Sequence, residues 1–140
     1  MTVRYLEKLR TEGQDANPFF RLMDIDVEAY GDGSAELSMR VRPDMLNGDG
    51  WLQGGMFTAL CDEAMALALC TVLEEGESIA TISESTSFLR GIREGTIVAR
   101  GRVIRKGRRV AFLEGEVREQ GAGTPLLSQT SASFAVIRAT

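Results

Sequence analysis

Two adjacent carboxylates, Asp62 and Glu63, lie inside an otherwise apolar run from Met56 to Leu73. A carboxylate in a dry core costs several kcal/mol, to order of magnitude, unless it is paired or hydrogen-bonded. Neighbouring residues on a helix diverge by about 100°, so the two carboxylates cannot share one environment. Asp62 stacks with Gly55, Thr58, Met65, Ala66 and Leu69, and Glu63 with Ala59, Leu60, Ala66, Leu67 and Cys70. Both stripes are apolar. Either both acids reach solvent at a helix end, or one escapes at a sheet edge while the other faces a cleft. Spacing does not choose between them.

The loop entering this run carries glycines 48, 50, 54 and 55. A helix that starts on Gly-Gly exposes unpaired N–H groups to a close-approaching anion or developing oxyanion. The same pair also suits an ordinary tight connection. Arg105-Lys106-Gly107-Arg108-Arg109 places four cations at a turn. They are a candidate contact for phosphates, or simply a solvated turn. Thr81, Ser83, Ser85, Thr86 and Ser87 are hydroxyls in an extended segment, a composition that strands also accept without function.

The chain has no histidine, which removes Ser-His-Asp and Cys-His catalysis and histidine-based metal sites. Cys61 and Cys70 are nine positions apart in the helical run. They point in opposite directions there, so they read as small core residues rather than a disulfide. A net charge of −4 argues against a nucleic-acid partner, whose binding rests on phosphate neutralisation. The longest apolar stretch is too short and too charged to span a membrane. Residues 1–10 lack the apolar core of a signal peptide, so the expected location is cytoplasmic.

At 140 residues, 44% of them hydrophobic, the chain is expected to form one domain over 1–140 with an ordinary core. Residues 1–18 form its N-terminal helix and lead-in. Val3, Leu6 and Leu9 share one face of that helix, and Asn17-Pro18 breaks it. A first strand is expected within 19–30. Residues 34–42 alternate strictly, with Ala35, Leu37, Met39 and Val41 on one face. Met56–Leu73, apolar nearly all round, reads as a buried central helix. Segments 79–89, 96–105, 110–119 and 126–138, separated by glycine-bearing turns, suggest antiparallel hairpins. The fold class is therefore α+β, with an antiparallel sheet curled around a long central helix. Ile82, Phe88, Ile97, Ala99 and Val103 supply apolar strand surface that dimerisation would cover.

Asn47-Gly48-Asp49-Gly50-Trp51-Leu52-Gln53-Gly54-Gly55, followed by Leu60-Cys61-Asp62-Glu63-Ala64, resembles the signature of the PaaI-like thioesterase family. Asn47, Gly50, Gly54, Gly55 and Asp62 fall in register with it, and Ser87-Phe88-Leu89-Arg90 and Gly107-Arg108 resemble the family's later strand and hairpin. The resemblance covers roughly residues 20–138. It implies a hotdog fold, a homodimer or homotetramer with sites between subunits, and hydrolysis of an acyl-CoA thioester without metal or cofactor, coenzyme A being part of the substrate. It implies roles for Asp62 as general base or nucleophile, Asn47 in placing water or substrate, Gly54 N–H as oxyanion donor and Thr81 as an accessory hydroxyl. Gly55, Lys106, Gly107 and Arg108 become candidate contacts for coenzyme A.

Two positions depart from the family pattern. Gln53 stands where the family has histidine; it keeps a hydrogen-bond donor but cannot carry a proton or charge. Gly91 stands where members often have proline. A non-catalytic acyl-CoA-binding module is the alternative reading, whereas a hydratase that needs an Asp-His pair is excluded by the lack of histidine.

Overall fold

The computed structural model describes residues 2–139, with the side chains of Thr2 and Val3 outside the described residues. The elements are α1 (Thr2–Glu12), α2 (Pro18–Met23), β1 (Ile25–Gly31), β2 (Ser34–Arg40), α3 (Gly54–Cys70), β3 (Glu77–Phe88), β4 (Thr96–Lys106), β5 (Val110–Glu119) and β6 (Leu126–Arg138). Asn17-Pro18 separates two helices by starting the second. Asn17 Oδ1 accepts the Phe19 N–H at 3.0 Å, and proline occupies the first turn, where no N–H is needed.

The six strands form one antiparallel sheet in the order β1-β2-β4-β5-β6-β3. This is the hotdog arrangement: α3 carries the chain from β2 to the far edge, where β3 pairs with β6. The expected hairpin between 79–89 and 96–105 does not form. Residues 89–95 instead cross the end of the sheet, held by Leu52 N–H to Ile92 O at 2.8 Å and Val41 N–H to Gly95 O at 2.8 Å. Ile97 and Ala99 are fully buried, so they belong to the core rather than to an outer apolar surface. Ile82 and Phe88 are exposed.

The helix lies on the sheet at a seam of two glycines. Gly101 of β4 pairs directly with Gly115 of β5. A Cβ on Gly101 would stand 2.6 Å from the Met65 backbone nitrogen, and one on Gly115 would run into Cys61 Sγ. Only a residue without Cβ lets α3 descend this far. Around the seam, Leu60, Met65, Leu67 and Leu69 of α3 are buried with Leu37, Ile97, Leu113 and Phe134 of the sheet.

Candidate active site

The face of β3 that meets α3 is set by a bulge. Thr81 pairs with Phe134 and Ser83 with Ser133, so Ile82 is an extra residue on β3. On β6 the buried side is Ser128, Thr130, Ala132, Phe134 and Val136. Their β3 partners are Phe88, Thr86, Glu84, Thr81 and Ile79. Thr81 and Glu84, which strict alternation would put on opposite faces, thus both face α3.

Opposite them runs one stripe of α3. A methyl group on Gly54 would touch the Phe88 ring at 3.4 Å. Phe57 meets Phe88 edge-to-face, with centroids 6.2 Å apart. Thr58 Oγ1 lies 2.9 Å from Thr86 Oγ1, itself 2.9 Å from Thr130 Oγ1. Thr81 Oγ1 donates to Asp62 Oδ1 at 3.0 Å.

Neither acid of the pair lies at a helix end. Asp62 faces β3, and Glu63, about 100° round the helix, faces the N-terminal segment. There Asn17 Nδ2 donates to Glu63 Oε2 at 3.3 Å and to the Tyr5 hydroxyl at 2.9 Å. Burial, then the neighbouring Asp62, pushes the Glu63 carboxyl up to about 7. Burial likewise pushes the Cys61 thiol up to about 12, so Cys61 is no thiolate nucleophile; both cysteines are free.

Sequence reasoning missed Glu84. It is the one acid in the hydroxyl run of β3, but only the bulge turns it inward. Burial, then Asp62, pushes its carboxyl up to about 7.

At the other end of the stripe, Asn47 ties its own loop. Its Oδ1 accepts the N–H groups of Asp49 at 3.0 Å and Trp51 at 3.1 Å. Gln53 precedes α3 with no side-chain capping bond, and its N–H goes to Met45 O at 3.0 Å. The Gly54 and Gly55 N–H groups open the helix beyond it. Trp51 packs beneath Arg93, whose guanidinium carbon is 3.9 Å from the ring centroid. A Cβ on Gly91 would come 2.9 Å from that ring, which accounts for glycine at this position.

One chain does not bring all the expected residues together. Gly54 and Asp62 are eight residues apart on α3, or roughly 12 Å along its axis. Thus a single carbonyl cannot meet the Gly54 N–H and the Asp62 carboxylate of the same chain. The turn after β4 is also remote: Lys106 Nζ pairs with Glu77 Oε1 at 3.0 Å, roughly 13 Å along β3 from Thr81. Gly107 N–H closes the turn on Val110 O at 2.9 Å, and Arg108 is exposed. A hollow of about 620 Å³ lies elsewhere, over the glycine seam on the outer sheet face, lined by Glu36, Arg100, Arg102, Glu114 and others. It has no part of the Asp62 stripe.

A six-stranded antiparallel sheet packed on one central helix defines the hotdog fold, and here that helix carries a hydroxyl-bound carboxylate. The chain belongs to the thioesterase superfamily, whose family model matches residues 49–125. A thioesterase of Haemophilus influenzae is 26% identical, with a TM-score of 0.79 over 87% of this chain and 84% of its own. A Ralstonia eutropha protein described as phenylacetic acid degradation-related is 28% identical, with a TM-score of 0.82 over 94% of this chain and 98% of its own. A Haemophilus influenzae protein named as a candidate esterase is 29% identical over 98 residues, 70% of this chain and 71% of its own. Among the described residues no helix is long and apolar enough to cross a membrane.

Proposed function

We propose that the chain hydrolyses an acyl-CoA thioester to the free acid and coenzyme A, at a site shared by two copies. The observation that carries this reading is the Thr81–Asp62 hydrogen bond of 3.0 Å. It holds a carboxylate of the central helix against the edge strand of the sheet. Asp62 takes the proton of an attacking water, or attacks the carbonyl carbon itself. Negative charge then develops on the carbonyl oxygen, and the Gly54 N–H of the second copy stabilises it there. Gln53 adds a neutral donor, and Asn47 of that copy orients the water. The C–S bond breaks and the coenzyme A thiolate leaves, taking up the proton drawn from water. Where Asp62 itself attacks, water then hydrolyses the acyl–Asp62 anhydride, which releases the free acid and restores the carboxylate.

The need for a second copy has two supports. Gly54 and Asp62 are too far apart within one chain. In addition, β3 is a twelve-residue edge strand whose open edge and exposed Ile82, Phe88 and Leu89 call for a partner. A homodimer meets both needs, and a homotetramer is a pair of such dimers. Gly55, Gly107, Lys106 and Arg108 are the proposed coenzyme A contacts, with Arg108 the cation most open to phosphate.

The test is thiol release from short, medium, long and aromatic acyl-CoAs by wild type beside Asp62→Ala. Release by wild type alone supports hydrolysis. No release by folded wild type, with acyl-CoA binding retained in calorimetry, points instead to a binding module. The Asp62→Asn variant is expected to bind coenzyme A without turnover; wild-type turnover by it refutes the role of Asp62.

A further inference from the structure

Glu84 has no part in the reaction above, yet it faces the same carboxylate. The Ile82 bulge turns it toward α3, where it sits between Thr81, bonded to Asp62, and Thr86, bonded to Thr58. Positions 58 and 62 are about one helical turn apart, so Glu84 faces the turn that ends on Asp62. Its Oε2 is buried and has no hydrogen-bond partner among the described residues.

The titratable groups around it are all acidic or neutral. From α3 they are Asp62, which acts on Glu84 directly, and Cys61, which feels both acids and, more weakly, Glu116 of β5. From β6 the facing residues are Ala132 and Thr130, which do not titrate. Among the described residues no cation acts on Glu84. A carboxyl buried beside another carboxylate, with no cation acting on it, holds its proton more readily than one in water.

We propose that Glu84 is the positioning residue of Asp62: its protonated carboxyl donates a hydrogen bond to the Asp62 carboxylate, which Thr81 already holds, and so fixes it for attack on the acyl group or water. This rests on the thioesterase reading of Asp62. Burial and the charge of Asp62 keep the Glu84 proton in place up to a pH of about 7. Below that pH the donor is present; above it, the donor is lost and a second negative charge enters the site. Glutamine at this position supplies an N–H donor at every pH, and alanine supplies none.

The test compares the pH dependence of kcat for wild type, Glu84→Gln and Glu84→Ala on the best acyl-CoA. Wild-type kcat is expected to fall as pH rises through about 7, and Glu84→Gln to lack that alkaline fall. Glu84→Ala is expected to lose roughly 10- to 100-fold in kcat, with KM little changed, as for a lost hydrogen bond to a charged group. A Glu84→Gln profile identical to wild type, or wild-type kcat in Glu84→Ala, overturns the proposal.

A second measurement needs no activity. The Glu84 side-chain carboxyl is followed by ¹³C NMR across pH in wild type and Asp62→Asn, its signal assigned by its loss in Glu84→Gln. A midpoint near 7 that drops in Asp62→Asn supports the pairing. A midpoint in the ordinary glutamate range, or one unmoved by Asp62→Asn, overturns it. If the pairing is found and no thioester is cleaved, the hydrolase reading fails and the shared proton stands.

Discussion

Thr81 on an edge strand donates a hydrogen bond of 3.0 Å to Asp62 on the central helix, and this bond ties the helix acid to the strand that would meet a second copy. The bond is charge-assisted, worth about 1.5–3 kcal/mol. Thr81→Val is therefore expected to lower kcat roughly 10- to 100-fold, with Thr81→Ser keeping most of the rate. Steady-state thiol release checks this, and equal rates in Thr81→Val and wild type would show that the hydroxyl does nothing for Asp62.

A shared site predicts complementation. Asn47→Ala and Asp62→Asn, each alone, are expected to be inactive or nearly so. When the two chains are coexpressed and the mixed dimer is isolated through different tags, one of its two sites is intact. That dimer should recover about half of the wild-type rate. Failure to recover, in a dimer shown to be mixed, would place Asn47 and Asp62 at the same site on one chain.

The glycine seam predicts a stability defect far from the chemistry. In Gly101→Ala the new methyl group meets the α3 backbone at 2.6 Å, which no side-chain rotation relieves. The helix must lift, at an expected cost of about 2–4 kcal/mol. Urea unfolding measures it, and a midpoint equal to wild type would mean that the helix has slack at this crossing.

Glu63 predicts a pH dependence of folding. Its carboxyl rises from 4.5 to about 7 on folding, so between those values the folded chain binds more protons than the unfolded one. Stability then falls as pH rises. The contribution is fully present below 4.5 and lost as pH passes about 7, on the order of 2–3 kcal/mol. Glu84 acts in the same direction. Glu77 acts in the opposite one. The Glu74 N–H, then Lys106 and Arg138, hold its carboxyl below the usual range despite burial, so its contribution is lost only in acid. Thermal melts from mildly acidic to mildly alkaline pH should show a declining Tm, with a shallower decline in Glu63→Gln. A Tm that rises over this range would contradict the buried placement of Glu63.

The sequence by itself determined the elements and the chemistry available to them. Alternation in Ala35–Val41, the glycine-bearing turns between the last extended segments, the nearly all-round apolar run of α3, and its start on Gly54-Gly55 are local patterns. They follow from the periods of strand and helix. The absence of histidine likewise bounded the chemistry, and the resemblance to the PaaI-like signature, rather than spacing alone, singled out Asn47, Gly54 and Asp62.

Which side each residue faces was decided only by the tertiary structure. Asp62 and Glu63 stand in equally apolar stripes, and only the packing of β3 on one side of α3 and of Asn17 and Tyr5 on the other tells them apart. The pairing of β3 with β6 rather than β4 is a long-range choice that turn residues do not encode. The bulge at Ile82 breaks the period-two rule at the point where Glu84 turns toward Asp62. Gly101 and Gly115 read as ordinary strand residues until β4 and β5 pair and bring them together beneath the helix. Each of these features depends on which elements meet, which local periodicity does not specify.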